Sequence, residues 1–239
     1  MINDKGDKMT LQAKNGSEVT VRLEVNDRAR RLILRLDERA REAVAVAPTR
    51  RKLSEAASFA SERVDWIAAR LSELPHHISF ADGAEFPLRG RNCRISLQGK
   101  SRRPQLIRGL PDELCCPGDP ETLQRRVVRF LKSEARRDIT EAVERHCQTL
   151  GVTAAKISIK DTRSRWGSCT SDGRLSFSWR LVLAPPEILD YVAAHECAHL
   201  IEMNHSSAFW AQVAKCCPNW KKDRGWLRRH GRELHAVGV

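Results

Sequence analysis

The stretch His195-Glu-Cys-Ala-His-Leu-Ile-Glu-Met-Asn-His205 constrains this chain more than any other. It holds H-E-x-x-H with a third histidine six residues further on. In a helix, His195 and His199 stand one turn apart on the same face. Two neutral imidazoles so placed can bind one metal ion, about 2 Å from each nitrogen. Glu196 sits beside the first ligand, where a general base for a metal-activated water is needed. His205, returning from a turn, completes a three-histidine set and leaves a fourth position open, which is the pattern of a catalytic zinc site. Glu202 and Glu233 are the rival third ligands. Cys197 lies roughly 200° around the helix from His195, so it is expected to pack rather than ligate.

The segment before that helix is expected to supply the polar groups a hydrolase needs. Arg163, Arg165, Ser164 and Ser168 precede the strand that leads to it. An arginine there can grip a carboxylate or phosphate or meet charge developing on an oxygen. The competing expectation is that these groups pin a turn. Trp166 and Trp179 read as core residues.

The 239 residues are 41% hydrophobic, enough for one large domain or two small ones. A net charge of +12 is compatible with a polyanionic partner without specifying one. The eight cysteines form no C-x-x-C, which excludes a zinc ribbon or a thioredoxin motif. The first residues lack the apolar core of a signal peptide, and no run approaches the ~18 apolar residues of a membrane span. The expectation is a reducing, cytoplasmic setting with no membrane.

In order along the chain, residues 1–16 are polar and expected to be flexible. Alternation over Glu18–Val25 and Arg31–Asp37 predicts antiparallel strands with a hairpin turn at Asn26-Asp27, and Ala43–Val46 predicts a third strand. Ser54 is the expected N-cap of a helix reaching Glu73. His76 and His77 follow as solvated neighbours. Strands are expected over Gly83–Leu97 and Gln105–Leu110, then a breaker-rich loop over residues 111–120. A long helix runs from Asp119 or Pro120 to Leu150, closed by Gly151. Its arginines read as a solvated face. Lys156–Lys160 and Leu175–Trp179 alternate as strands. Pro185-Pro186 opens the H-E-x-x-H helix, with Asn204 as its stop. Ser206 or Ser207 caps the next helix, and a basic helix over Trp226–Leu234 ends the chain. The predicted class is α+β, with a β-rich antiparallel region over 17–118 followed by a helical and small-sheet catalytic region over 119–239.

The run RWGSC-(x5)-LSFSWRLVLAPPEILDYVAAHECAHLIEMNHSSAFW resembles the YgjP-like metallopeptidase-domain family, zinc-dependent hydrolases of gluzincin-like fold. The resemblance implies a zincin-like catalytic region, zinc ligation by His195, His199 and His205, and a catalytic role for Glu196. It leaves the substrate open. A peptide carbonyl is the first reading. Some relatives are nucleoside triphosphate pyrophosphatases acting on UTP, which makes a nucleotide the alternative. A third reading is a DNA-associated, SprT-like protease, although such proteins usually add the zinc ribbon missing here.

Overall fold

Alternating strands need a partner sheet, and the described strands of this chain build three sheets around two separate cores. The computed structural model describes residues 6–99 and 103–239. The chain is α+β and divides into two compact units, Met1–Pro75 and His76–Val239.

In the first unit, β1 (Lys8–Gln12), β2 (Glu18–Val25), β3 (Ile33–Asp37) and β4 (Glu42–Ala47) form a sheet in the order β1-β2-β4-β3. Val19, Val21 and Leu23 point into the core, as their alternation predicts. The expected hairpin at Asn26-Asp27 is absent. β2 instead runs parallel to β4, and β3 lies antiparallel on the far side of β4. The reason is in β4, whose six residues are all buried; a strand covered on both faces takes a central place. β3 alternates between half-buried and exposed and takes the edge. Lys8–Gln12 is likewise a strand on β2 rather than a flexible segment, and residues 1–5 lie outside the described residues.

The expected helix over 54–73 is two helices, α1 (Leu53–Ser61) and α2 (Val64–Ser72). Arg63 leaves helical geometry between them, at φ −115° and ψ 15°. Ser54 is not a cap, because a 3-10 turn over Arg50–Lys52 runs directly into α1. Leu53, Ala56, Ala60 and Ile67 close the core against the strand side chains.

The second unit opens with β5 (Glu85–Leu88), β6 (Arg91–Ser96), β7 (Gln105–Ile107) and β8 (Asp112–Cys115), ordered β5-β6-β8-β7. β8 lies in the expected loop. It is fixed there by Asp112, a fully buried carboxylate that accepts hydrogen bonds from Arg91, Arg108 and the Gly109 amide. Through Phe86, Leu88, Ile95 and Leu114 the sheet shares one core with the remainder of the chain. The division of the chain therefore falls at 75/76 rather than at the expected 118/119.

The long helix α3 (Pro120–Leu150) has the ends its sequence predicts. Asp119 accepts from the Glu121 amide, and Gly151 is left-handed at φ 68°. Leu123, Val127, Leu131, Ala135, Ile139 and Ala142 form its buried stripe. Its arginines sit among partners or in solvent: Arg137 pairs with Glu134, and Arg126 donates to the carbonyls of Cys116 and Asp119. A small sheet comes next, β9 (Lys156–Lys160), β10 (Gly167–Cys169) and β11 (Arg174–Ser178), in the order β10-β11-β9. Then come α4 (Pro186–Ala198), α5 (Ser207–Cys216) and α6 (Trp220–His235), the last starting a turn and a half before its expected position. Among the described residues, no helix is long and apolar enough to cross a membrane.

Candidate metal centre

Helix α4 begins as its prolines dictate and buries Ile188, Leu189, Val192 and Ala193 in the core. It ends at Ala198, before the expected stop at Asn204. His199 is its C-cap but keeps helical angles, φ −67° and ψ −17°, so the four-residue spacing to His195 survives. The two rings stand 5.0 Å apart and nearly perpendicular. The Leu200 amide then donates to Cys197 O, and the Ile201 and Glu202 amides to Ala198 O, which turns the chain sharply. Asn204 stabilises the turn after the helix instead. Its Oδ1 accepts from the Ser206 amide, and Ser206 Oγ accepts from the Phe209 amide as the N-cap of α5. His205 is held between these two bonds. Its Nε2 lies 3.1 Å from His195 Nε2, and one nitrogen from each histidine falls within 4.8 Å of the others.

That spacing fits a metal ion. Tetrahedral ligands at ~2.0 Å place their donor atoms about 3.3 Å apart. His199 Nδ1 faces the Glu202 carbonyl oxygen at 2.9 Å, which leaves Nε2 for an ion and fixes the ring. Burial, with His199, His205 and Arg224 nearby, pushes His195 down to about 3, so it is neutral and ready to ligate. Burial also lowers His199. The Nδ1 of His195 is buried without a hydrogen-bond partner, so packing holds this ring. Phe209 supplies most of it, with its centroid 4.9, 4.4 and 4.8 Å from those of His195, His199 and His205. Three imidazole nitrogens without a cysteine or carboxylate suit zinc among the common ions.

Glu196 points to a different neighbour. It is buried, and burial pushes its carboxyl up to about 8, with Arg165 pulling the other way. Beside it runs β10. A Cβ built on Gly167 would lie 2.5 Å from Glu196 Oε1, so only glycine leaves room there for the carboxylate. β10 pairs with β11 alone, and its other edge is unpaired among the described residues. Leu175–Trp179, expected as a strand, is the central strand β11 followed by a 3-10 turn, so β10 stands at the edge of this sheet.

The two arginines part company. The charge of Arg165 reaches Glu196, while that of Arg163 reaches His235. Trp166 stacks on His235 at 4.4 Å, and Trp179 is buried. Glu202 contributes its main-chain carbonyl, and Glu233 pairs with His230 at 3.1 Å; neither joins the histidine cluster. Cys197 faces away, its Sγ 3.8 Å from that of Cys147 on α3, and all eight cysteines are free. Neither Gly167 nor the contact of Phe209 with all three rings is predicted by the sequence. The glycine of the Arg165–Cys169 run is a visible signal, but its meaning depends on where β10 lies.

A family model described as YgjP-like, metallopeptidase domain, matches residues 30–230. No curated protein matches the chain. Among solved structures, the crystal structure of the metallopeptidase zymogen of Pyrococcus abyssi abylysin aligns at 22% identity and a TM-score of 0.36, covering 39% of this chain and 93% of that one. So low a TM-score supports no inference about this fold. The family match spans most of the chain and includes the histidine cluster, and the chain therefore belongs to the YgjP-like metallopeptidase-domain family of metal-dependent hydrolases.

Proposed function

We propose that the chain is a zinc-dependent peptidase, with His195, His199 and His205 as ligands and Glu196 as general base. The observation that carries this reading is the gathering of three histidine nitrogens, with the next residue after His195 a buried carboxylate that lies against the edge strand β10. When bound, the ion supplies Lewis acidity and lowers the pKa of a water in its open position to ~7. Glu196 takes a proton from water and returns it to the departing amine nitrogen. The Gly167–Cys169 edge pairs with an extended peptide and presents its carbonyl to the site. Arg165 meets negative charge on the substrate; Arg163, turned toward His235, is a weaker candidate.

A nucleotide substrate finds less support. The edge of β10, unpaired among the described residues, suits an extended peptide backbone and offers a nucleotide no matching contact. The basic surface alone does not choose between peptide and polyanion. The test is a side-by-side assay of wild type and Glu196→Gln against peptide and nucleoside triphosphate panels. Peptide cleavage that falls at least ~1,000-fold in the variant is expected, since the base is needed in the transition state. Triphosphate hydrolysis lost in the variant, with no peptide cleaved by wild type, would replace this reading with the alternative.

A further inference from the structure

The rings around the metal centre continue past it. Trp210 lies 5.7 Å from His195 and 5.8 Å from His205, centroid to centroid, and stacks on Trp220 at 4.1 Å. Over the Trp210 ring, at 5.1 Å, sits the guanidinium of Arg224. Lys221 reaches over the Trp220 ring at 5.6 Å. Lys221, Arg224 and Arg228 succeed one another at the three- and four-residue spacing that puts them on one stripe of α6. With Trp220 and Gly225 they line a hollow of about 530 Å³. All three cations are exposed, and none has a carboxylate partner among the described residues. The acidic residues of α6 do not neutralise them. Asp223 is buried against Cys217, and Glu233 is paired with His230.

We propose that Arg224, backed by Lys221 and Arg228, is a carboxylate-binding subsite that selects peptides carrying an acidic group two or three residues from the scissile bond. The inference rests on the peptidase reading above. The spacings of 5.7 Å from His195 to Trp210 and 5.1 Å from Trp210 to Arg224 put Arg224 no further from His195 than roughly three residues of extended chain at ~3.3 Å each. A substrate held at the histidines therefore arrives at Arg224 within a few residues. A guanidinium backed by an aromatic face is preorganised for two-point recognition of a carboxylate. Three charges in a short stripe match one or two acidic groups. A single-stranded nucleic acid is the competing occupant of a basic stripe, and the experiment includes it. The carboxylate is that of an Asp or Glu side chain or of the peptide's own C-terminus, and the experiment separates the two.

The test measures binding of rhodamine-labelled octapeptides to the zinc-loaded full chain carrying Glu196→Gln, by fluorescence anisotropy at low and high salt. One peptide has two glutamates and an amidated end, one has glutamines and a free C-terminus, and one has glutamines and an amidated end. Tighter binding of either of the first two over the third is expected, and it identifies the source of the carboxylate. Adding Arg224→Gln should weaken that binding roughly tenfold. Adding Arg228→Gln to it should weaken binding further, and Lys222→Gln, off the stripe, should not change it. Equal binding of all three peptides, or full affinity with Arg224→Gln, overturns the subsite. So does a twelve-nucleotide single strand that binds more tightly than either carboxylate peptide and depends on the same arginines. A wild-type enzyme that cleaves no peptide would overturn the peptidase reading separately, because the binding result does not depend on turnover.

Discussion

Gly167 carries no reactive group, yet the freedom of Glu196 depends on it. A methyl group at that position meets the carboxylate at 2.5 Å, well inside contact distance. Gly167→Ala should therefore displace Glu196 and lower hydrolysis roughly 100-fold, the cost of misplacing a reacting group by about 1 Å. Metal content and melting temperature should stay close to wild type, and full activity in the variant would contradict the placement of Glu196. Asp112 shows a second residue whose surroundings decide its chemistry. The hydrogen bond from Arg91 and those from Gly109 and Arg108 hold its carboxyl well below the usual carboxylate range. A carboxyl depressed in the folded state stabilises the fold above its unfolded pKa, about 4, and that contribution fades as pH falls below it. Asp112→Asn should lower the melting temperature by several degrees at pH 7 and flatten its fall as pH drops from about 4 toward 2. Melting curves at pH 7 and over that acid range check both. At this scale the placement of His195, Glu196 and His199 along one helix is legible in the sequence, as are those residues themselves, because a four-residue spacing on a helix is a local property. Gly167 and Asp112 are not, because their roles come from strands distant in sequence.

Helices are more legible than strands. The ends of α3 follow from Asp119, Pro120 and Gly151, and its stripe follows from three- and four-residue recurrence. Leu131, fully buried in the middle of that stripe, gives a direct test. Leu131→Ala should cost ~2–5 kcal/mol in chemical denaturation, and a loss under ~1 kcal/mol would show that α3 packs more loosely than its burial suggests. The break between α1 and α2 has no glycine or proline to announce it, so the uninterrupted apolar period hides it. Strand pairing is hidden for a different reason. Alternation tells which face of a strand is apolar, but not which neighbour it takes. β4 lies between β2 and β3 because it is apolar on both faces, and that clue stands in Ala43–Ala47, although the Asn26-Asp27 pair points to a hairpin instead. In the same way Pro111, Pro117 and Gly118 disguise β8, whose place depends on a buried carboxylate rather than on alternation.

On the scale of the molecule, each unit has its own apolar core. Val19, Val21, Leu23 and Ile67 belong to one, while Phe86, Leu131, Trp179 and Phe209 belong to the other. Residues 76–239 expressed alone should then unfold cooperatively and keep the metal centre, as calorimetry and metal analysis would show; an aggregated or unfolded product would mean that the second core needs the first unit. The α+β class can be read from the sequence, but the division at residue 75 cannot, because nothing local shows which core the strands over 85–115 join. Everything proposed for the site depends on one zinc held by three histidines. Elemental analysis of the purified full chain, after dialysis against metal-free buffer, tests that most directly. One zinc per chain is predicted for wild type and for Glu196→Gln, with loss of metal in His195→Ala and His199→Ala and weakened retention in His205→Ala. A wild-type chain without zinc, or histidine variants that keep it in full, would contradict a three-histidine zinc centre.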